Sequence, residues 1–335
     1  MIAIKLIIGL VTHYIVNFFF LKKKFLLDDT ESSDHKKYVN KNVNVVLSGG
    51  TVFFLLFLIF TSFNLYLKLF IFLIFLIGIF SDLKILNSPS LRFLLQIFAV
   101  GIFVLILEIG VSFTGLKYLD LVLKYKFVSI IFSTLCLLIL INGSNFLDGL
   151  NTLIIGYYIL VLLTLCFLVS TNNLNFNLSL INTTILILTI LLIFNIFNKS
   201  FIGDSGAYTI SCLVGFICID FFKNIEDFSV LFIVVILWYP AFETLFSVLR
   251  KLSVKNNPTN PDNRHLHHFL YTFCLSKIKK KLVSNIVSAL IINLFNLFVF
   301  IIAIMNYKNS IFLSYILITN ILIYLCLYKF LKNEK

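Results

Sequence analysis

Long runs of Leu, Ile, Val and Phe alternate with short polar islands along the whole chain. A helix needs about 20 apolar residues to cross a bilayer core roughly 30 Å thick. On that measure eleven spans are expected, at about 2–21, 45–63, 66–80, 91–110, 127–142, 150–170, 178–195, 205–222, 228–248, 284–306 and 309–329. The junction between the second and third is short and weak, so ten spans is the main alternative. The expected fold class is an all-α polytopic integral membrane protein, with residues 1–335 forming one membrane domain.

Lys and Arg orient the spans, because cytoplasmic loops carry the excess. With residues 22–44 in the cytoplasm and the spans alternating, twenty of the 27 Lys and Arg fall inside and seven outside. Eleven spans then leave the N-terminus outside and the C-terminus cytoplasmic.

Composition agrees with the pattern. The chain is 60% hydrophobic and 13% charged, with a mean hydropathy of +1.04; a soluble domain is roughly 25% charged. The net charge of +12 is scattered over separate loops. It needs only anionic lipid headgroups as a partner, and it argues against nucleic-acid binding. The six cysteines show no metal-type spacing.

With this orientation every unusual polar island falls on the cytoplasmic side. The islands are Ser48, Gly49 and Gly50; Ser81 and Asp82; the 142–151 stretch with Asn142, Asn145, Asp148, Gly149 and Asn151; Gly203, Asp204, Ser205 and Gly206; and the 260–268 stretch with Arg264, His265, His267 and His268. Polar groups at membrane depth are costly and mark function. Asp82, Asp148 and Asp204 lie at the cytoplasmic ends of three different spans. Clustered carboxylates need a cation among them, and oxygen ligands beside phosphates are the usual setting of Mg²⁺. The 203–206 stretch opens a span, so its N–H groups are a natural phosphate seat. Arg264 and the histidines are donors suited to phosphate oxygens.

Each island has a plainer reading by itself. Asp204 alone reads as a helix cap, and Ser48, Gly49 and Gly50 alone as close helix packing. The histidines alone read as a zinc site or a solvated basic loop. A transporter would also use intramembrane polar groups, but it predicts them on both faces and at mid-span, often in inverted repeats.

The islands together resemble the polyprenyl-phosphate N-acetylhexosamine-1-phosphate transferases, glycosyltransferase family 4. The resemblance runs through His35, Lys36 and Lys37; Ser48, Gly49 and Gly50; Gly78, Ser81 and Asp82; Arg92 and Gln96; Asn142, Asn145, Asp148, Gly149 and Asn151; Asn195, Lys199 and the 201–206 stretch; and Pro240, Glu243, Thr244, Arg250 and the 264–268 stretch. The His-Leu-His-His order is similar to the sugar-phosphate initiating branch rather than to the MurNAc-pentapeptide transferase of peptidoglycan synthesis, which is the alternative within the family.

The resemblance implies a reaction in the bacterial cytoplasmic (inner) membrane, with the active site facing the cytoplasm. N-acetylhexosamine-1-phosphate passes from a UDP-sugar (UDP-GlcNAc or a related UDP-N-acetylhexosamine) to undecaprenyl phosphate, and UMP leaves. The step would initiate an envelope polysaccharide such as O-antigen, enterobacterial common antigen or teichoic acid. Mg²⁺ is the implied cofactor, with Mn²⁺ as a substitute, and a homodimer is compatible with the resemblance. The active site would be built from loops at about 22–50, 78–92, 142–151, 195–206 and 249–283.

Residue roles follow from the same resemblance. Asp204 and Asp82 match the metal region, with Ser81, Asp82, Asp148 and Asp204 as the catalytic set. Asn142, Asn145 and Lys199 join the substrate-binding set, with Asn145 and Asp148 in the nucleotide and pyrophosphate region and Asn151 facing the uracil. Arg264, His265, His267 and His268 hold the pyrophosphate, and Lys36 or Lys37 pairs with a phosphate. There are departures. Ser81 stands where the family has the first of two aspartates, Asn151 and Thr152 stand where many members have Asp-Gly, and Glu243 stands where Asp is common. An inactive paralogue is the reading that the Ser81 departure opens.

Overall fold

The computed structural model describes residues 2–28, 45–62, 64–172, 174, 176–225, 228–253 and 264–334. The described chain is helical throughout, in the order α1 Ile2–Lys23, α2 Gly49–Phe60, α3 Leu65–Asp82, α4 Pro89–Ile106, α5 Lys117–Leu123, α6 Lys126–Leu147, α7 Leu153–Thr171, α8 Ser179–Ile196, α9 Gly203–Asn224, α10 Val230–Ile236, α11 Trp238–Ser253, α12 Leu266–Ile278, α13 Lys281–Met305 and α14 Ser310–Asn333. Among the described residues nine helices are long and apolar enough to cross a membrane, and the α10–α11 pair adds a bent tenth. The protein is a multi-pass, all-α membrane protein.

All eleven expected segments are helical, but two differ in form. Residues 45–63 give α2, of only 12 residues, which reaches about 18 Å and falls short of the hydrocarbon core. Its first turn is tied instead to other loops: Gly49 and Gly50 N–H donate to the carbonyls of Phe201 and Ile202 at 2.9 and 3.1 Å. Residues 228–248 give two helices that meet at 74°. Pro240 explains the break, since it has no N–H to donate to the carbonyl of Ile236, four residues earlier. That carbonyl accepts from the Tyr157 hydroxyl instead, at 2.8 Å.

The hub of the bundle is α9, buried along nearly all of its length and packed by α2, α3 and α6. Small residues let backbones cross closely there. A Cβ on Gly78 would fall within 2.7 Å of the Ser205 nitrogen, and one on Gly206 within 3.1 Å of the Gly50 Cα. In contrast α1 and α14 expose rows of Ile, Leu and Phe, as lipid-facing helices do.

The two ends of the bundle carry different contacts. At one end Arg92 of α4 meets Asp204 of α9. At the other, Lys223 of α9 donates to the Glu108 carbonyl at 2.6 Å, and Lys126 pairs with the Glu108 carboxylate at 3.3 Å. Two shorter helices, α5 and α12, were not expected. The second occupies the 249–283 region, read from sequence as a basic loop. It forms because Leu266, Phe269 and Tyr271 have apolar neighbours to bury against.

Candidate functional site

Asp82 is the last residue of α3, and its carboxylate reaches the start of α9. One oxygen accepts the Asp204 N–H at 2.8 Å and the other the Ser205 N–H at 3.0 Å. Asp82 is thus the cap of α9, where the positive end of the helix dipole favours an anion. Gly203 makes this approach feasible. It sits at φ +69°, and a Cβ there would lie 2.8 Å from an Asp82 oxygen. The phosphate seat expected at 203–206 is therefore filled by a side chain of the protein itself, at Asp204 and Ser205.

Beside this cap stands a second carboxylate. Arg92 Nη1 donates to Asp204 Oδ2 at 2.7 Å, and Ser81 Oγ bridges the two, donating to Asp204 and accepting from Arg92. Tyr208, one turn along α9, lies 3.4 Å from the same oxygen. The Arg92 and Asp204 side chains are 22% and 25% exposed, so a solute can reach them. Arg92 is held in the first turn of α4, which starts on a Ser88 cap followed by Pro89.

A line of side chains leads away from this cluster. Gln96, one turn after Arg92, accepts from the Asn142 amide of α6 at 3.1 Å. Further along α6 come Asn145 and Phe146, both half-buried, and then Asp148, the C-cap residue. The Phe146 ring stacks on His265 at a centroid distance of 4.9 Å.

His265 opens α12, and His267 and His268 follow in its first turn, all three buried. The rings of His267 and His268 are 4.2 Å apart. Gly149 abuts them: a Cβ there would fall 2.8 Å from His268 Cε1 and 3.0 Å from His267 Nε2. The 148–151 turn thus lies directly against the imidazoles. His265 Nδ1 is 2.8 Å from Glu243 Oε1 on α11, and Tyr324 of α14 donates to Glu243 Oε2 at 2.8 Å.

Other predicted residues have different surroundings. Asn151 is buried; its amide donates to the Asn195 carbonyl at 3.0 Å and to the Asn198 side chain, while its backbone N–H is capped by Asn285. Asn195 in turn accepts the Thr152 N–H at 2.6 Å and donates to the Ser200 carbonyl at 3.0 Å. This asparagine network ties the α6–α7 turn to the α8–α9 loop and to α13. Ser48 is fully buried between Asn17 and Ser200, a packing role for its island. Lys199 and Arg264 are exposed. Lys36 and Lys37 lie outside the described residues.

Among the described residues no three His, Cys, Asp or Glu side chains gather as a metal cluster. Asp82 and Asp204 still form a two-carboxylate oxygen set. That fits Mg²⁺, which keeps waters and takes phosphate oxygens beside one or two carboxylates.

Arg92, Glu243 and Tyr324 are site members to which the sequence analysis gave no role, although Arg92 and Glu243 stood among the residues that carry the resemblance. Glu243 had a signal, being an acid within an apolar run. Tyr324 had none, as one of the 14 tyrosines of the chain.

Residues 64–222 match glycosyl transferase family 4. A probable undecaprenyl-phosphate N-acetylglucosaminyl 1-phosphate transferase of Bacillus subtilis is 28% identical over 213 residues, covering 61% of this chain and 57% of that relative. An undecaprenyl-phosphate alpha-N-acetylglucosaminyl 1-phosphate transferase of Thermotoga maritima is 36% identical over 70 residues, covering 21% of this chain and 23% of that protein. The chain thus spans little more than half the length of the first relative and about a quarter of the second.

Proposed function

From the match of residues 64–222 to glycosyl transferase family 4, we propose that this chain transfers N-acetylhexosamine-1-phosphate from a UDP-sugar to undecaprenyl phosphate. The lipid phosphate oxygen forms a bond to the β-phosphorus, the pyrophosphate bond breaks, and UMP leaves with the bridging oxygen. The observation that carries this reading is the meeting of Asp82, Asp204, Ser81 and Arg92 from three helices at one end of the bundle.

Both reactants are anions, so catalysis of in-line phosphoryl transfer is mainly positioning and charge neutralisation. Asp204 and Asp82 would hold a Mg²⁺ ion, which supplies that neutralisation when bound. Arg92 adds a fixed cation beside Asp204. A phosphate monoester is largely dianionic at neutral pH, with a second pKa of about 6. A serine at position 81 therefore does not deprive the reaction of a necessary base; it holds the Asp204 carboxylate and the Arg92 guanidinium in register. Asn145, Asp148 and the histidines line the approach for the nucleotide sugar, and the matched relatives' names support GlcNAc as its sugar. The excess of Lys and Arg near these loops supports a cytoplasmic orientation, and the initiating step of an envelope polysaccharide is the fitting place for such a product.

Purified protein with undecaprenyl phosphate, Mg²⁺ and radiolabelled UDP-GlcNAc should yield lipid-linked label and UMP. Parallel reactions with other UDP-N-acetylhexosamines read the sugar preference. No lipid product with any of them would overturn the proposal.

A further inference from the structure

Glu243 stands well away from any loop, in the middle of α11, and its side chain is 1% exposed. A carboxylate so buried costs several kcal/mol unless both oxygens are matched. Here they are: Oε1 faces His265 Nδ1 and Oε2 accepts from the Tyr324 hydroxyl, each at 2.8 Å. Three helices, α11, α12 and α14, converge on this one acid. An apolar side chain of similar volume would fill the same space with less difficulty, so packing alone does not account for the acid.

The geometry has a chemical consequence. An ionised carboxylate only accepts hydrogen bonds, so the Glu243 contact keeps a hydrogen on Nδ1. Nε2 lies on the opposite edge of the ring. The ring plane is also fixed, because Phe146 stacks against its face at 28°. Phe146 belongs to the α6 turn that carries Asn145. A carboxylate at one imidazole nitrogen is the usual way in which proteins orient the other for a ligand or a proton.

We propose that Glu243 is a positioning residue. It holds His265 by Nδ1, with Tyr324 as the clamp on its second oxygen, so that the ring, on taking a second proton from solvent at Nε2 as the anion binds, donates from Nε2 to a phosphoryl oxygen of the nucleotide sugar. This rests on the proposed function, which gives the histidine cluster the pyrophosphate. It extends the ligand-holding machinery from the loops to α14, the last helix of the chain.

Two measurements test it. The first is a double-mutant cycle in the transferase assay. Glu243→Gln should lower kcat/KM about 10- to 100-fold, and His265→Ala at least as much. Because Glu243 acts through His265, adding Glu243→Gln to His265→Ala should cost less than about 3-fold more. An equal loss in both backgrounds overturns the proposal. Tyr324→Phe, which leaves the acid in place, should cost about 3-fold; the same cycle run with it keeps the test open if Glu243→Gln does not fold.

The second measurement is independent of turnover. The chain has five histidines, so side-chain ¹⁵N shifts can be assigned by loss of the His265 signal in His265→Ala. Wild-type His265 should carry its hydrogen on Nδ1, and Glu243→Gln should give a mixture of forms. An Nε2-only hydrogen in the wild type overturns the proposal whatever the activity. A wild-type protein with the expected shifts but no lipid product would instead sink the proposed reaction. Loss of the Nδ1 preference in Tyr324→Phe would make the clamp, rather than the acid alone, the orienting device.

Discussion

Asp204 and Glu243 are both carboxylates within the helical bundle, yet their surroundings are opposite. Asp204 is a quarter exposed and shares an arginine, a serine and a tyrosine at the mouth of α9. Glu243 is sealed in mid-helix between one histidine and one tyrosine. The first arrangement can exchange partners with solutes, because water and ions reach it. The second cannot, and its value lies in holding a neighbour still. The two also differ in how far the family likeness reaches. Asp204 falls within residues 64–222, whereas Glu243 and the histidines lie beyond them.

This contrast is sharpest in Asp204→Asn. The substitution keeps the shape and removes the charge, so turnover should fall by about 10²- to 10³-fold, the loss typical of a group that stabilises transition-state charge. The melting midpoint in detergent should barely move, since the side chain is partly solvated and Asn still accepts from Arg92. A large drop in melting with modest loss of turnover would make Asp204 a structural cap instead.

Asp82→Ala should behave differently, although the two acids are adjacent. Asp82 caps α9 with two backbone bonds. Removing it leaves two N–H groups at a partly buried helix end, at a cost of about 1–3 kcal/mol. Stability and turnover should fall together. Guanidinium-free denaturant titration or thermal melting reads the first, and the lipid-product assay the second. Unchanged stability would mean that the capping contact is dispensable.

Much of this cluster was legible from the chain. The islands at 81–82 and 203–206 were visible because acids and glycines stand out among Leu, Ile and Phe, and Arg92 and Gln96 were in view beside them. What the sequence concealed was which acid touches what. A pattern can bring Asp82 and the start of α9 to one end of a bundle, but it does not reveal that the carboxylate fills the anion seat itself. Asn151 shows the same limit. Its amide was expected to face a base, yet it is bonded to Asn195 and Asn198, because loops in a membrane protein must satisfy their own backbone groups. The break at Pro240 was readable in principle from the missing N–H. The Tyr157 hydroxyl that completes it comes from a helix some eighty residues earlier, beyond any local rule.

Ser81→Asp probes the one departure within the acidic cluster. It would bring a third carboxylate against Asp204, with Arg92 already in reach of both positions. The substitution should keep turnover within about 3-fold of wild type while Arg92 is present. In an Arg92→Gln background the same change should cost a further 10-fold, about 1.4 kcal/mol, because the like charges lose their common partner. Equal effects in the two backgrounds would show that Arg92 does not balance the cluster.

The smallest effect expected concerns neither half of the site but the turn between them. Thr152 stands at φ +68°, a left-handed conformation that costs a non-glycine residue roughly 1–2 kcal/mol and is uncommon above all for β-branched side chains. Its backbone bonds, the N–H to Asn195 at 2.6 Å and the carbonyl accepting from Gly156 at 2.8 Å, do not involve the side chain. Thr152→Gly keeps both and relieves the conformation, while the looser unfolded chain takes back about 0.5–1 kcal/mol. A net gain of about 0.5–1 kcal/mol should appear as a higher denaturation midpoint, with turnover within about 2-fold. The turn that carries Asp148 and Gly149 against the histidines would then be shown to be held by its asparagine contacts. A 10-fold loss of turnover in Thr152→Gly would mean instead that the strained threonine stiffens the turn, and that the rigidity seen at Glu243 extends to the Asp148 side of the site.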